Sequence, residues 1–455
     1  MKAWSKVLVL GADQHQGLAV IRGLGLAGIP VAACGVSPRS IGFYSRYATE
    51  TWRYAPPSKD RKRFLDDVAG ILSRSRPGLV IPAVESTLVV LNEARELVEG
   101  YATLAAPAPE VLEYAIDKGR TLRLAERLGV PVPRTVRGET VGEILAKAGA
   151  LRFPVAIKPR GHGLHFTTAH TLDFKVRYAR DQRELEQMVR PFEQDAKTLL
   201  VQEYVQGVGR CVAAVCRHGE ALALFAYSRE REYPLSGGVS VVRMSIPLDE
   251  RLAGYVTSLL GEIRWHGVAM VEFKYDPAAD RYTLMEINGR FQASTALSLD
   301  AGINLPYLAA CVYGAGEPGP AQPYRVGVVE RWLRGDLLVV RDALTTPSRH
   351  AQEIGSIGDR PSRAQVLRQF LHDFRPGMHY DEFKWHDWRP GLVEAVSLIA
   401  MVLGWAIHWT TRAGRRALRA LGRRLSTAVR SPTQRSMRRG EAAPDLPGRN
   451  RSWAS

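Results

Sequence analysis

The sequence predicts a protein of mixed α/β and α+β class with a helical extension at its C-terminus. Three observations support this class. Apolar runs alternate with amphipathic stretches near the N-terminus, two strand-like runs joined by a short turn lie in the middle, and a long apolar segment followed by arginines lies near the end. A chain of 455 residues with 45% hydrophobic residues can form two or three domains with large cores. Disorder along the whole chain is therefore excluded.

The first apolar run, KVLVLGA, is followed by a loop, an amphipathic stretch and a second apolar run, IPVAACGV. This order predicts strand, loop, helix and strand in a parallel α/β layer. The spacing from Gly11 to Gly17 lacks the GxGxxG pattern, which disfavours nicotinamide binding. A second strand and helix follow, and Glu85 and Ser86 come directly after the strand. Ligand binding at the sheet edge and helix capping are equally good interpretations of this pair.

The cysteines favour a reducing compartment. Cys34, Cys211, Cys216 and Cys311 form no CxxC pair and no spacing typical of a zinc site or a disulfide framework. The apolar run at the N-terminus is too short for a secretory signal and is better interpreted as the first strand. We therefore expect a cytosolic protein.

The formal charge of +16 is concentrated near the C-terminus. From residue 412 onward there are twelve arginines and only two acidic residues, Glu441 and Asp445, so this segment alone carries a charge of +10. The rest of the chain is only mildly basic. This distribution favours a partner that binds the C-terminal segment alone over a polyanion bound by the rest of the protein. Few aromatic residues stand among these arginines, which disfavours base stacking. We expect no nucleic-acid partner.

Helical periodicity runs through EVLEYAIDKGRTLRLAERLG and ends at the prolines of VPVPRT. The segment FPVAIKPRGHG then predicts a strand carrying Lys158 and a glycine loop suited to phosphate. The segment TLLVQEYVQG predicts another strand, with Glu203 near its end. Further on, REYPLSGGVSVVRMSI places Arg243 on an irregular strand.

The segments VAMVEFKYD and RYTLMEINGR, separated by PAAD, predict a β-hairpin. Side chains alternate along a strand, so Glu286, Asn288 and Arg290 should share a face, and Glu272 should lie opposite Glu286. Like charges in this arrangement are destabilising by roughly 0.2–1 kcal/mol unless a cation lies between them. Mg²⁺ prefers carboxylate and amide oxygens together with substrate phosphates. A solvated strand face with Glu–Arg pairs explains any one of these residues, whereas the whole set favours a metal–nucleotide site.

The order of these segments resembles the ATP-grasp ligases, especially the carbamoyl phosphate synthetase-like and D-aspartate ligase-like branches. The segments that carry the resemblance, over roughly residues 5–320, are DKGRTLRLAERLGVPVPRT, FPVAIKP, VQEYVQG, MVEFKYD and LMEINGRF. The resemblance implies a Rossmann-like pre-ATP-grasp domain followed by an ATP-grasp fold, with ATP held between two sheets. It implies that Lys118 and Lys158 bind phosphate. It also implies that Glu203, Tyr204 and Val205 contact adenine and ribose, with Val205 using its backbone.

The same resemblance implies that Mg²⁺, or Mn²⁺ in its place, is bound by Glu272, Glu286 and Asn288. Arg290 would lie beside the transferred phosphate. The implied mechanism has a substrate carboxylate attacking the γ-phosphate of ATP to give an acyl phosphate and ADP, after which an amine displaces phosphate. Such chemistry depends on positioning and charge neutralisation, so no nucleophilic serine or cysteine is needed. We expect Arg243 to steady the acyl phosphate, and a surface arginine on a strand is the alternative.

Five segments are predicted along the chain. They are a pre-ATP-grasp α/β domain at 1–112, an ATP-grasp domain at 113–320 with a small subdomain at about 133–205, an extension at 321–391 packing on the core, a membrane-associating helix at 392–426 and a disordered basic tail at 427–455. We expect acceptor specificity to come from His15, Gln16 and Glu85 at the first sheet edge and from the loop at 236–238.

Residues 395–411 contain no Asp, Glu, Lys or Arg, which is marginal for a membrane span of about 20 residues. The next stretch, RAGRRALRALGRRL, has arginines on one helical face and leucines on another. A span would carry all twelve arginines away from the cytosol, against the positive-inside tendency. A helix lying in the inner leaflet, on anionic headgroups, avoids this conflict. The alternative is a C-terminal helix buried in a dimer interface.

These inferences predict an ADP-forming carboxylate–amine ligase that is cytoplasmic and peripheral on the inner face of the plasma membrane. Its partners would be a small-molecule carboxylate, a small-molecule amine and the anionic membrane surface, with a homodimer left open. One alternative replaces the amine with another acceptor. The other is a non-catalytic ATP-binding regulatory or scaffold protein recruited to the membrane, against which the complete set of Glu272, Glu286 and Asn288 argues.

Overall fold

The computed structural model describes residues 5–161, 176–235, 237–314, 323–345 and 361–428, with side chains up to residue 408. Most of the predicted glycine loop after Lys158, Ser236 of the predicted acceptor loop and nearly all of the predicted basic tail lie outside these residues. The chain divides into two compact units, Met1–Glu394 and Ala395–Ser455.

Five parallel strands form the first sheet, in the order β3-β2-β1-β4-β5. They are β1 (Val7–Leu10), β2 (Val31–Gly35), β3 (Ala48–Arg53), β4 (Leu79–Pro82) and β5 (Thr103–Leu104), and the helices between them are α1 (His15–Leu26), α2 (Arg61–Ser75), α3 (Glu85–Glu93) and α4 (Arg95–Glu99). Strands β1, β2 and β4 are buried along their whole length, which explains their uninterrupted apolar sequences. Because β1 and β4 are parallel neighbours, His15 and Glu85, which begin the following helices, lie at the same sheet edge.

Helix α1 packs very closely on the end of β1. A Cβ at Gly17 would lie 2.0 Å from the carbonyl oxygen of Gly11, so only glycine permits this contact. Gly11 itself has φ of +97°, a conformation that favours glycine. Both glycines are therefore explained by backbone packing.

The predicted helical stretch before the prolines is divided into α5 (Pro109–Ile116) and α6 (Lys118–Arg127). Asp117 separates them in an extended conformation, and its side chain accepts hydrogen bonds from the backbone of Gly119 (2.8 Å) and Arg120 (3.3 Å). This aspartate caps α6, which explains why a continuous periodicity gives two helices.

A small four-stranded sheet follows, in the order β6-β9-β7-β8. Its strands are β6 (Thr135–Val136), β7 (Val155–Pro159), β8 (Arg177–Ala179) and β9 (Leu199–Glu203), and its helices are α7 (Val141–Ala148) and α8 (Gln182–Val189). The sheet and helices share a hydrophobic core of their own, built from residues between 141 and 201. We call this part the small lobe.

The largest sheet has seven strands in the order β14-β13-β10-β11-β12-β15-β16. They are β10 (Val208–Arg217), β11 (Glu220–Tyr233), β12 (Val239–Ser245), β13 (Gly267–Asp276), β14 (Arg281–Asn288), β15 (Val329–Arg331) and β16 (Met378–Tyr380). The associated helices are α9 (Glu250–Glu262), α10 (Thr295–Ala301), α11 (Leu305–Tyr313), α12 (Leu333–Thr345) and α13 (Arg363–His372). The predicted hairpin is confirmed as β13 and β14. Strands β15 and β16 belong to the predicted extension, so this segment also lengthens the central sheet.

The last helix, α14, covers Trp388–Ala428. Within the described residues, its part from Trp388 to His408 is long and apolar enough to cross a membrane, and only 22% of its most apolar window is buried. Large apolar side chains are exposed along it, namely Val396, Ile399, Val402, Leu403 and Ile407.

Candidate active site

Two carboxylates face each other across the hairpin of β13 and β14. Glu272 pairs directly with Glu286, as the hairpin sequence predicts, and the register shifts immediately afterwards at a β-bulge. Asn288 lies two residues beyond Glu286 and donates a hydrogen bond from Nδ2 to Glu286 Oε1 (3.0 Å). The three predicted metal ligands therefore lie together.

Two cationic side chains hold these carboxylates. The Arg229 guanidinium of β11 donates to Glu272 Oε1, and Lys118 Nζ lies 3.4 Å from Glu286 Oε2. The Glu272 side chain is only 14% exposed, and its burial raises the pKa of this carboxyl despite Arg229 and with a further contribution from Glu286. Two opposed carboxylates and an amide form a donor set that fits a hard divalent cation. Arg229 and Lys118 supply the positive charge in the structure.

Lys158 lies on β7 of the small lobe, close to the same charges. Part of its surface is accessible, but protein atoms crowd its ammonium group, and this desolvation lowers its pKa to about 8. Glu286 opposes this shift, and Lys118 adds to it. The two predicted phosphate-binding lysines thus act on one another electrostatically and share Glu286 as a neighbour.

A pair formed by Asp117 and Arg160 brings the two lysines together. Arg160 follows β7 and binds the Asp117 carboxylate through Nε (3.0 Å) and Nη2 (2.9 Å). The Lys118 amide also donates to the Arg160 carbonyl oxygen (2.9 Å). Burial would raise the pKa of Asp117, but the bonds from Arg160 outweigh it and lower this pKa. Lys118 is therefore fixed at the first position of α6, facing the small lobe.

Arg290 connects the site to the first sheet. It lies just after β14, and its Nε is 3.7 Å from Glu85 Oε2. Its Nη1 donates to the carbonyl oxygen of Phe291 (3.2 Å). Val84 stands at the N-cap position of α3, and its side chain makes no capping hydrogen bond. Glu85 lies in the first turn of α3 and not at its N-cap position, and its carboxylate meets an arginine of the candidate site.

The segment predicted to contact adenine and ribose links the small lobe to the central sheet. Glu203 ends β9, and one of its oxygens accepts a hydrogen bond from the Arg152 amide (2.9 Å). The Tyr204 amide donates to the Pro154 carbonyl oxygen (3.0 Å), and its ring meets Tyr178 edge-on at 5.8 Å. These contacts fix the segment containing Val205 between the two sheets.

Arg243 requires a correction, because it is neither a surface residue nor open to a substrate. It lies on β12 with 0% exposure, and its guanidinium binds Glu330 (3.0 and 3.1 Å), Asp381 and the Ser240 carbonyl oxygen (3.1 Å). Burial would lower its pKa, but Asp381 and Glu330 outweigh this and raise it. The side chain is therefore a buried cation that holds two carboxylates.

Replacing Arg243 with alanine is expected to destabilise the protein by about 3–5 kcal/mol, because the buried Asp381 loses its cationic partner and the buried Glu330 keeps only Lys384. Chemical denaturation would measure this change, and Arg243→Lys, which keeps the charge, should be less destabilised. A well-folded Arg243→Ala protein of unchanged stability that no longer uses ATP would restore the expected role in steadying an acyl phosphate.

Several residues at this site are not predicted by the sequence. They are Asp117, Arg160, Arg229 and Lys274, and Arg229 and Lys274 also line a cavity of about 520 Å³ that contains Gly207 and Gln365. Each looks like an ordinary charged residue of a helix or strand. The one available signal is the position of Lys274 two residues after Glu272, which places both side chains on one strand face.

Known proteins are similar to this chain in sequence and in fold. A family model described as "ATP-grasp in the biosynthetic pathway with Ter operon" matches residues 195–331. The large chain of carbamoyl phosphate synthase from Thermus thermophilus is 24% identical in an alignment of 420 positions that covers 81% of this chain. The chain spans only 39% of the length of that relative.

Two solved structures share the fold. One is the biotin carboxylase domain dimer of Hydrogenobacter thermophilus 2-oxoglutarate carboxylase in complex with MgADP, ADP and bicarbonate, with a TM-score of 0.56, 17% identity and coverage of 72% of this chain and 74% of that chain. The other is the L-amino acid ligase from Bacillus licheniformis, with a TM-score of 0.51, 16% identity and coverage of 69% and 75%. The fold is therefore the ATP-grasp fold. The segment at residues 195–331 is similar to the ATP-grasp branch associated with the Ter operon.

Proposed function

We propose that the protein is an ATP-dependent, ADP-forming ligase that joins a carboxylate to an amine. The observation that carries this proposal is the pair of opposed carboxylates, Glu272 and Glu286, next to Lys118 and Lys158. A stable sheet gains nothing from facing carboxylates alone, whereas Mg²⁺ bound with a polyphosphate needs such ligands beside cationic groups. The ATP-grasp relatives support the same activity.

Each group has a separate task in this proposal. Glu272, Glu286 and Asn288 hold Mg²⁺, or Mn²⁺ in its place, and Lys118 and Lys158 bind the phosphates of ATP. The segment formed by Glu203, Tyr204 and Val205 holds adenine and ribose. Bound Mg²⁺ supplies charge neutralisation at the phosphates.

The proposed reaction has two steps. In the first, a substrate carboxylate oxygen bonds to the γ-phosphorus, the bond from that phosphorus to the β–γ bridging oxygen breaks, and ADP leaves with the bonding electrons. In the second, a neutral amine nitrogen attacks the acyl carbon, the bond from that carbon to the phosphate oxygen breaks, and phosphate leaves while the nitrogen loses a proton. Arg290 is suited to the transferred phosphate because it lies beyond Asn288 and faces Glu85 at the first sheet edge.

Release of ADP from Mg-ATP tests this proposal. Purified protein would be supplied with pooled sugar acids and amino acids as carboxylates and with pooled amines. We expect release that needs one member of each pool and yields an amide detectable by mass spectrometry. Turnover without any amide would contradict the carboxylate–amine assignment, and failure to bind Mg-ATP would contradict the nucleotide site.

The pH dependence of ATP affinity offers a second test. The pKa of Lys158 is about 8 in the nucleotide-free protein, and a bound phosphate favours the charged ammonium and raises it. ATP binding should therefore take up a proton above pH 8, and the affinity should fall as pH rises, by at most about tenfold per unit. Titration calorimetry between about pH 7 and pH 9.5 would measure this slope. Lys158→Arg, which does not titrate in this range, should remove it, and an equal slope in both proteins would assign the proton to another group.

We also propose that α14 holds the catalytic body at the inner face of the plasma membrane. The exposed apolar side chains between Val396 and Ile407 support this placement, and so does the run of arginines that follows in the sequence. ATP is cytosolic, so the body would remain in the cytoplasm and the arginines would meet anionic headgroups.

A further inference from the structure

A histidine and two carboxylates converge away from the paired carboxylates of the hairpin. His15 begins α1 at the edge of the first sheet, and Asp381 and Glu382 directly follow β16. One ligand atom from each of the three side chains lies within 4.8 Å of the other two. Asp381 and Glu382 are only 2% and 1% exposed, so this is a buried cluster and not a group of solvated surface acids.

The two carboxylates keep oxygen atoms without partners. Asp381 binds Arg243 through Oδ1, whereas its Oδ2 makes no hydrogen bond to any described residue. Glu382 meets His15 through Oε1, and its Oε2 is likewise buried and unpartnered among the described residues. A buried carboxylate oxygen without a donor is costly, so these two atoms indicate a missing cationic or donor group.

Carboxyl groups outnumber lysine and arginine side chains around the cluster. Among the described residues that connect to it, three lysine and arginine side chains accompany five carboxyl groups: Arg243, Lys384 and Arg334 beside Glu330, Asp381, Asp300, Glu382 and Glu394. The neighbouring pair of Arg22 and Asp387 is neutral and leaves this difference unchanged.

The positions of the donor atoms suit an ion. His15 Nδ1 and Glu382 Oε1 are 3.2 Å apart. Two ligands bound at about 2.1 Å to one ion stand about 3.0 Å apart at a right angle and about 3.4 Å apart at a tetrahedral angle. Trp332 packs on the imidazole with ring centroids 4.6 Å apart, and so fixes the ring. Arg22 fixes the carboxylate backbone by donating to the carbonyl oxygens of Asp381 (2.6 Å) and Glu382 (2.8 Å).

We infer that His15, Asp381 and Glu382 bind a divalent metal ion separate from the nucleotide site. An imidazole combined with carboxylates favours Zn²⁺ or Mn²⁺ over an ion that takes oxygen ligands alone. This ion would connect the first sheet to the segment that follows β16. The inference does not rest on the proposed ligase activity, because its ligands differ from Glu272 and Glu286 and no nucleotide is needed.

Metal uptake by the full chain, purified in detergent and stripped with a chelator, tests this inference. Titration calorimetry with ZnCl₂ or MnCl₂ in the absence of nucleotide would be combined with elemental analysis of the dialysed protein. We expect one tightly bound equivalent in the unmodified protein. Loss of an outer-shell partner weakens metal binding by about 10–100-fold, so loss of a ligand in Glu382→Gln or His15→Gln should weaken it at least as much. Glu286→Gln, at the nucleotide site, and Glu262→Gln, on the surface of α9, should retain the ion.

The melting temperature provides a readout that is independent of catalysis, because an ion bound only to the folded state stabilises it. The ion should raise the melting temperature of the unmodified protein and of Glu286→Gln, but not that of His15→Gln. Uptake that persists in both His15→Gln and Glu382→Gln, or that disappears in Glu286→Gln, would overturn the inference. A third outcome would also overturn it. If the protein binds no metal, and an amine stimulates ADP release only when Glu382 is present, the cluster binds the ammonium group of a substrate.

Discussion

Replacing Glu286 with alanine is expected to lower substrate-dependent ADP release by roughly 10³-fold, the upper range for loss of one group that stabilises transition-state charge. Glu286 faces Glu272 across the hairpin, accepts from Asn288 and lies 3.4 Å from Lys118. Its loss would remove a proposed metal ligand and also the carboxylate partner of Lys118, which is proposed to bind phosphate. A coupled assay for ADP, with circular dichroism to verify folding, would measure the change.

Two comparisons make this test specific. Glu262→Ala changes an exposed glutamate of α9 and should leave ADP release unaltered. Glu286→Gln keeps the size and the bond to Asn288 but loses the charge, so it should retain little activity if metal binding is the cause. Normal turnover in a folded Glu286→Ala protein would contradict the site proposed for Mg-ATP.

Removing residues 395–455 is expected to move the protein from the membrane fraction to the soluble fraction and to leave its catalytic rate unchanged. The deletion begins at the boundary of the first compact unit, so Glu394 and its ion pair with Arg334 (2.8 Å) remain. Sedimentation with vesicles containing phosphatidylserine would measure binding. The loss should be nearly complete, because the deletion takes away both the apolar helix and the arginines.

A second deletion tests the contribution of the residues beyond α14. A protein that ends at residue 428 keeps α14 and loses only the residues beyond it. It should still bind vesicles. Its binding should be more sensitive to salt than that of a purely apolar anchor, because salt screens the attraction between its arginines and the anionic headgroups. Equal vesicle binding by the 395–455 deletion and the full chain would contradict the membrane proposal. A change from dimer to monomer in that deletion would favour the alternative, in which this helix lies in a dimer interface.

The hairpin shows how much of the site could be predicted from sequence. Two strand-like runs separated by four turn residues leave little freedom in register, so the opposition of Glu272 and Glu286 follows from counting. The parallel first sheet is equally accessible, because buried strands give uninterrupted apolar runs. Features that depend on neighbouring residues in the chain were therefore the predictable ones.

Features that depend on distant partners could not be predicted. Arg243 and Asp381 are separated by 138 residues, and nothing local indicates that they bind each other in the core. The same holds for His15 and Glu382, whose contact spans 367 residues. Asp117 illustrates a subtler limit, since helical periodicity on both sides hides a residue that begins a new helix. Charged residues are usually exposed, so a buried ionic network gives no compositional signal.

The pair formed by Asp117 and Arg160 joins two bodies with separate cores, because Asp117 caps a helix packed on β14 and Arg160 follows β7 in the small lobe. It therefore holds the small lobe against α6. Swinging the small lobe outward must first separate this guanidinium from its carboxylate, and the same movement carries Lys158 away from Lys118. Entry of a nucleotide and the approach of Lys118 and Lys158 to each other would then be a single event, with a threshold set by this ion pair, by the hydrogen bond from the Lys118 amide to the Arg160 carbonyl oxygen and by the salt concentration.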